Sequence, residues 1–185
     1  MNVTDRQYAL DLDKNDPLAH FKSKFVITDP AMCYLDGNSL GRLPHATVVA
    51  VNNFLTQEWG PEVVTGWSHW VDEAQPVGDL IGEATLGAAK GQVLACDTTS
   101  VNFYQLCLAA IKARPGRKTI ITDTANFPTD RYILDGIAKE FGLNLVLIDN
   151  ESAGPIKHER ITAEILAPYL NDDVALVTLE VIQYR

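Results

Sequence analysis

"TIITDTANFPTDRYILDGIAKEFGLNLVLI", Thr119–Ile148, is the stretch whose reading decides the fold. It opens on "TIIT", a short β-branched run, and closes on "NLVLI", a second apolar run. Between them "PTDRYILDGIAKEFG" spaces Ile133, Ile137 and Phe141 along one helical stripe and stops at Gly142. A strand, a helix of this length and another strand imply a right-handed crossover and parallel pairing.

The alternation continues on both sides. Upstream, "QVLAC" predicts a strand and "VNFYQLCLAAIKARPG" a helix, with Val101, Tyr104, Leu108 and Ile111 on its apolar face and Pro115-Gly116 as its stop. Downstream, "ERITAEILAPYL" predicts a helix and "DVALVTLEVI" a last strand. Before Gly91 the texture differs. "NDPLAHFKSKF" offers Asp16 as N-cap and Pro17 at the first helical position, and "MCYL" suggests a short strand. "YLDGNSLGRLP" is a glycine-rich turn, "HATVVAVNNFLTQEWG" a helix closed by Gly60, and "PEVVTGWSHW" an aromatic-rich loop. A helical region through "LIGEATLGAAKG" follows, kinked or started by Pro76. The expected parts are an arm over 1–33, a turn with helices over 34–90, and the opening of an α/β domain over 91–185. A parallel strand needs cover on both faces. "VIQYR" follows the last strand with no covering helix, so the expectation is the front portion of a longer protein.

With 185 residues, 46% hydrophobic and 21% charged, the composition is that of a soluble globular chain. A formal charge of −9 with scattered acids argues against nucleic acid as a partner. No run approaches the roughly 20 apolar residues of a membrane span, and the polar start lacks a signal-peptide core. Cys33, Cys96 and Cys107 lack metal or redox spacing and fit free thiols in a reducing cytoplasm.

Two strand-to-helix corners carry candidate chemistry. "ACDTTSVNF" lines up Thr98, Thr99 and Ser100 where a helix begins. Free N–H groups and the dipole there suit a phosphate, while a plain N-cap explains one hydroxyl equally well. "TANFPTDRY" places Phe127 at the tip of the next corner, with Pro128 fixing the backbone and Thr129 or Asp130 available as cap. A fixed ring beside a phosphate seat suits a flat phosphorylated cofactor; a ring packed on its own helix is the alternative. Ligands of open parallel sheets lie outside the carboxyl ends of the strands, where both corners fall.

Taken together, "YLDGNSLG", "EWG" followed by "GW", "DTTSVN" and "NFPTD" resemble kynureninase, a pyridoxal-phosphate (PLP) enzyme family of the aspartate-aminotransferase-like fold (PLP-dependent transferase fold type I). The resemblance implies that Thr99 and Ser100, with Thr98 beside them, meet the cofactor phosphate. It implies that Phe127 stacks on the pyridine face, with Pro128, Thr129 and Asp130 completing that wall. It gives Asn38 and Ser39 to the substrate wall and Trp67 to the pocket for the substrate's aromatic ring, while Asp36 is open to a simpler role as an Asx turn. The implied reaction is hydrolysis of L-kynurenine, or its 3-hydroxy form, to anthranilate or 3-hydroxyanthranilate and L-alanine. That chemistry serves tryptophan catabolism and NAD biosynthesis, in cytoplasmic homodimers.

The family's Schiff-base lysine, pyridinium-pairing aspartate and substrate-binding arginine come later in its chains. None of Lys14, Lys22, Lys24, Lys90, Lys112, Lys118, Lys139 and Lys157 has the expected strand-end context. The chain alone is therefore expected to lack its catalytic residues and to be inactive. A cysteine desulfurase or selenocysteine lyase relative, with histidine expected where Phe127 stands, is one alternative. A non-catalytic remnant is the other.

Overall fold

The structure is a computed structural model that describes residues 2–150 and 160–182. β-Branched and aliphatic side chains make Thr119–Asp123 (β1), Asn144–Ile148 (β2) and Val174–Val177 (β3) strands of one parallel sheet in the order β2-β1-β3. Thr119 pairs with Asn144 and Asp123 with Ile148; on the other side Thr119 meets Val174 and Ile121 meets Val177, with a register shift after Thr119. The central strand is buried from Ile120 through Asp123, as a covered parallel sheet requires.

The chain forms two compact units, Met1–Pro76 and Val77–Arg185, and each is described by itself. In the second, Thr99–Lys112 (α6) and Pro128–Phe141 (α7) cover one sheet face, where Ile120, Cys107, Leu134 and Ile137 form a core. Ile121, Ile148 and Val174 form the core of the other face, packed by Ile161 and Ile165 beside the short helix Ala163–Leu166 (α8). The expected βαβ unit is therefore present, with its helix ended by Gly142 at φ 64°.

The expected stripes hold in part: Ile137 is buried, with Ile133, Leu108 and Ile111 packed against the same core. On α7, Leu134, Ile137 and Ala138 are buried and Phe141 is 44% exposed. On α6, Cys107 is buried with Phe103, Leu108 and Ile111 against it, while Val101 and Tyr104 face outward. Helix α6 begins one turn beyond the sheet-covering stretch, so its first apolar residues overhang the core.

Several other elements differ. "QVLAC" forms no strand: the helix Ala74–Ile81 (α5) rides so close that a Cβ on Gly78 would overlap the Val93 carbonyl. "MCYL" forms no strand pairing among the described residues either; the bridge in this region is Phe25 with Pro44. The helix expected over 159–170 is a four-residue turn followed by a 3-10 turn, Ala167–Tyr169, because Pro168 cannot donate the next bond. Glu159, Lys157 and 183–185 lie outside the described residues. The last strand ends at Val177.

In the first unit, Arg6–Lys14 (α1) precedes a 3-10 turn, Ala19–Lys24, where Asp16 accepts from the Leu18 amide at 2.8 Å. The long helix is His45–Asn53 (α2), continuing as a π-helical turn, Phe54–Trp59, and then Gly60–Glu62 (α3). Gly60 keeps helical angles rather than ending the run. The expected aromatic loop coils instead, through Val63–Gly66 into Trp67–Trp70 (α4). Among the described residues of this unit, only Gly66 is buried, under the Trp70 indole.

Candidate functional site

Helix α6 runs down to Lys112 and a short turn before β1 begins at Thr119; α7 likewise runs down to Gly142 before β2 begins at Asn144. Both helices therefore start toward the edge where the strands end. Thr98 is the α6 N-cap, its Oγ1 accepting from the Val101 amide at 3.3 Å. The cap reading thus holds for Thr98 and leaves Thr99 and Ser100 free of that duty. Their amides and hydroxyls donate to nothing among the described residues, and both residues are exposed.

The turn before them is held under strain. Asp97 stands at φ 46°, a conformation that costs a non-glycine residue about 1 kcal/mol. Asn102 ties this turn down: its Nδ2 donates to the Cys96 carbonyl at 2.9 Å and its amide to the Thr98 carbonyl at 2.9 Å.

At the second corner, Phe127 is the N-cap residue and Pro128 the first helical residue, with no side-chain cap from Thr129 or Asp130. The turn leading to it is fastened to two strands. Ala125 donates its amide to Asp123 Oδ1 and Asn150 Oδ1, each at 3.0 Å, and Asn126 Nδ2 donates to Thr122 Oγ1 at 2.7 Å. Arg131 Nη1 donates to the Thr124 carbonyl at 2.9 Å. The ring itself is 43% exposed, so the backbone rather than side-chain packing sets its position. Burial raises the Asp130 carboxyl, and it raises that of Glu180 beyond β3 as well, with Asp130 and Asp123 adding to the latter. Four buried side-chain atoms without a hydrogen-bond partner among the described residues gather at this edge: Asn126 Oδ1, Arg131 Nε, Thr178 Oγ1 and Glu180 Oε2. Buried polar atoms are costly when unpaired, so the edge is built to meet further polar groups.

Asn38, Ser39 and Trp67 lie in the first unit. Ser39 donates its hydroxyl to Asp36 Oδ1 at 2.8 Å, and Tyr34 donates to the Asp36 and Leu40 carbonyls, under the Arg42 guanidinium. Asp36 thus organises the turn, while Asn38 is exposed with no such bond. Trp67, 63% exposed, lines a cleft of about 470 Å³ with Phe54, Trp59, Trp70 and Val71. Asn102 and Glu180 are the residues that sequence reasoning missed. Asn102 was visible inside "DTTSVN"; Glu180 gave no signal, because it sits in an apolar run.

A lysine-to-alanine mutant of C-DES, solved with glycine covalently linked to its PLP cofactor, superposes with a TM-score of 0.66 at 18% identity, over 92% of this chain and 42% of that one. The fold is therefore the α/β fold of that PLP enzyme, in agreement with the fold type I expectation. No family model matches the chain. Curated kynureninases do: that of Pseudomonas fluorescens is 33% identical over 177 residues, covering 91% of this chain and 42% of the relative. Those of Burkholderia pseudomallei and Deinococcus radiodurans are 34% and 32% identical over 90% and 94% of the chain. The chain is homologous to a part of kynureninase, and it spans about two-fifths of the length of these relatives.

Proposed function

We propose that this chain supplies the cofactor-facing corner of a PLP-dependent kynureninase, which hydrolyses L-kynurenine, or its 3-hydroxy form, to the anthranilate and L-alanine. The observation that carries the reading is the pair of helix starts toward one sheet edge, one with unused amides and hydroxyls and the other with a backbone-fixed aromatic ring. The residues fit the cofactor: a phosphate finds donors at Thr99 and Ser100 beside the Thr98 cap, and the edge holds orphaned polar atoms. Bound there, PLP supplies an electron sink for a carbanion at the substrate's Cα. Phe127 would present its face to the pyridine ring, with Pro128 fixing the backbone just after it and Thr129 and Asp130 beside it.

In the same proposal Asn38 and Ser39 belong to the substrate wall and Trp67 to the aromatic pocket. The parts 1–33, 34–90 and 91–185 keep the roles of arm, substrate wall with helices, and cofactor domain. Among the described lysines, Lys118 directly precedes β1 and Lys139 lies on α7, and none follows the end of a strand. The lysine and the other acid-base groups are accordingly assigned to the portion of the relatives that this chain does not span. A homodimer is part of the reading, supported by the exposed Val49, Leu55, Trp59 and Val71 of the first unit. A cytoplasmic setting is supported by three free thiols.

The test is anthranilate release from L-kynurenine with added PLP, in a polypeptide carrying this sequence together with the portion found in its relatives. Activity that falls at least tenfold in Phe127→Ala supports the reading. PLP-independent release, or none with any kynurenine, overturns it.

A further inference from the structure

We propose that the cleft of about 590 Å³ between the arm's 3-10 turn and the start of α2 binds a small monocarboxylate with an apolar body, its acid end held by Lys22 and His45. The inference goes beyond the kynureninase reading and does not depend on it. The cleft lies wholly within the first unit.

The backbone brings the two basic side chains together. Phe25 and Pro44 form an antiparallel bridge, and the Val26 amide donates to the Leu43 carbonyl at 2.8 Å. Antiparallel pairing sets the residues before Phe25 against those after Pro44. The end of the turn Ala19–Lys24 therefore lies beside His45, the first residue of α2. The turn closes on its own groups: the Phe25 amide donates to the Lys22 carbonyl at 3.3 Å, and Ser23 Oγ to the His20 carbonyl at 2.9 Å. The Lys22 ammonium and the His45 ring are left over. Neither has an ion pair or a side-chain hydrogen bond among the described residues.

The rest of the lining decides the ligand. The chain has 24 acidic residues against 15 Lys and Arg, yet no acid lines this cleft. Asp29, the acid nearest in sequence to its wall, turns to the Ala31 amide at 2.9 Å instead. Phe25, Val26 and Ile27, all half-buried, make an apolar wall with Pro30. A few polar groups on a mostly apolar lining, in a space of this size, is the composition of a small-molecule site. A phosphate asks for a cradle of several donors. One ammonium and one imidazole N–H suit a single negative charge shared over two oxygens. The apolar wall gives nothing to a sugar or to a bare inorganic anion. An acid with an aromatic or branched aliphatic body satisfies both ends.

The experiment titrates benzoate into the ¹⁵N-labelled whole chain and follows its amides by NMR. Benzamide serves as the neutral isostere and acetate as the acid without a body. Benzoate is expected to shift the Phe25, Val26, Ile27 and His45 amides saturably, with a Kd on the order of 1 mM or tighter. The Ile120 and Ile121 amides should stay in place. Benzamide and acetate should bind about tenfold more weakly or worse. Lys22→Gln should weaken benzoate by about three- to tenfold, and Lys22→Arg should keep most of the affinity. Lys22 is exposed, so both variants keep the fold. Benzamide or acetate that matches benzoate overturns the proposal, as does an affinity unchanged in both Lys22→Gln and His45→Gln. The absence of saturable shifts at these amides up to about 10 mM overturns it too.

Discussion

In the unit 77–185 four of the five residues of β1 are buried, whereas among the described residues of 1–76 only a glycine is. Both regions are rich in aliphatic and aromatic side chains. The second gathers Ile120, Ile121, Leu134 and Ile137 into sheet-backed cores; the first leaves Val49, Leu55, Trp59, Val64 and Trp67 in the open. The difference comes from backbone pairing. A parallel sheet buries two faces and imposes helices on both, so apolar residues there find partners within the chain. A string of short helical turns has no such frame, and its large apolar side chains stay exposed.

The largest effect that can break this comparison is a pair of deletions. Leu134→Ala is expected to cost about 2–5 kcal/mol in urea unfolding, and Val49→Ala to stay within about 0.5 kcal/mol. Equal losses would mean that the first unit has a core of its own. Next, Asn150→Ala is expected to cost about 1–3 kcal/mol. Its Oδ1 accepts from Thr124 and Ala125 while its Nδ2 donates to Asp123, so its loss strips buried partners. Ser39→Ala in the exposed turn should barely register in the same assay.

Much of the second unit was legible from sequence because its signals are local: β-branched runs, a glycine stop at Gly142 and a proline at the head of α7. The stripes were right in Ile133, Ile137, Leu108 and Ile111 and wrong at their ends, since spacing alone leaves Leu134 and Phe141 equally eligible and only the docking on β1 separates them. The first unit was legible in its turn, where Asp36, Ser39 and Tyr34 bond locally, and illegible in "PEVVTGWSHW", whose coiling no periodicity announces. At the site, Thr98, Thr99 and Ser100 stood out as hydroxyls. Glu180 lies fifty or more positions from Asp130 and Asp123, whose approach to it no window of sequence contains.

Thiol chemistry sharpens the comparison further. Cys107 is 3% exposed and burial pushes its thiol up to about 11, with Asp130 adding to the rise, while Cys33 and Cys96 are exposed. Iodoacetamide at neutral pH should modify Cys33 and Cys96 first, as followed by peptide mass, and reach Cys107 only through unfolding of its unit. Early labelling of Cys107 would show that the α6 face opens without global unfolding.

The smallest effect is in pH. Burial raises Asp130 in the folded chain above its unfolded value. Its contribution to stability is thus fully present below the unfolded value and is lost as pH rises through the folded one. Asp130→Asn should flatten that part of a melting-temperature profile and leave the neutral-pH melt at or slightly above wild type. A neutral-pH melt that drops instead would give Asp130 a stabilising partner.

Adding PLP to the ¹⁵N-labelled chain, with pyridoxal as the control that lacks the phosphate, probes the shared edge most directly. The account predicts shifts at the Thr99, Ser100 and Phe127 amides with PLP, and at Phe127 alone with pyridoxal. Shifts confined to the opposite edge, around Lys118 and Asn144, or identical patterns from both compounds, would contradict it.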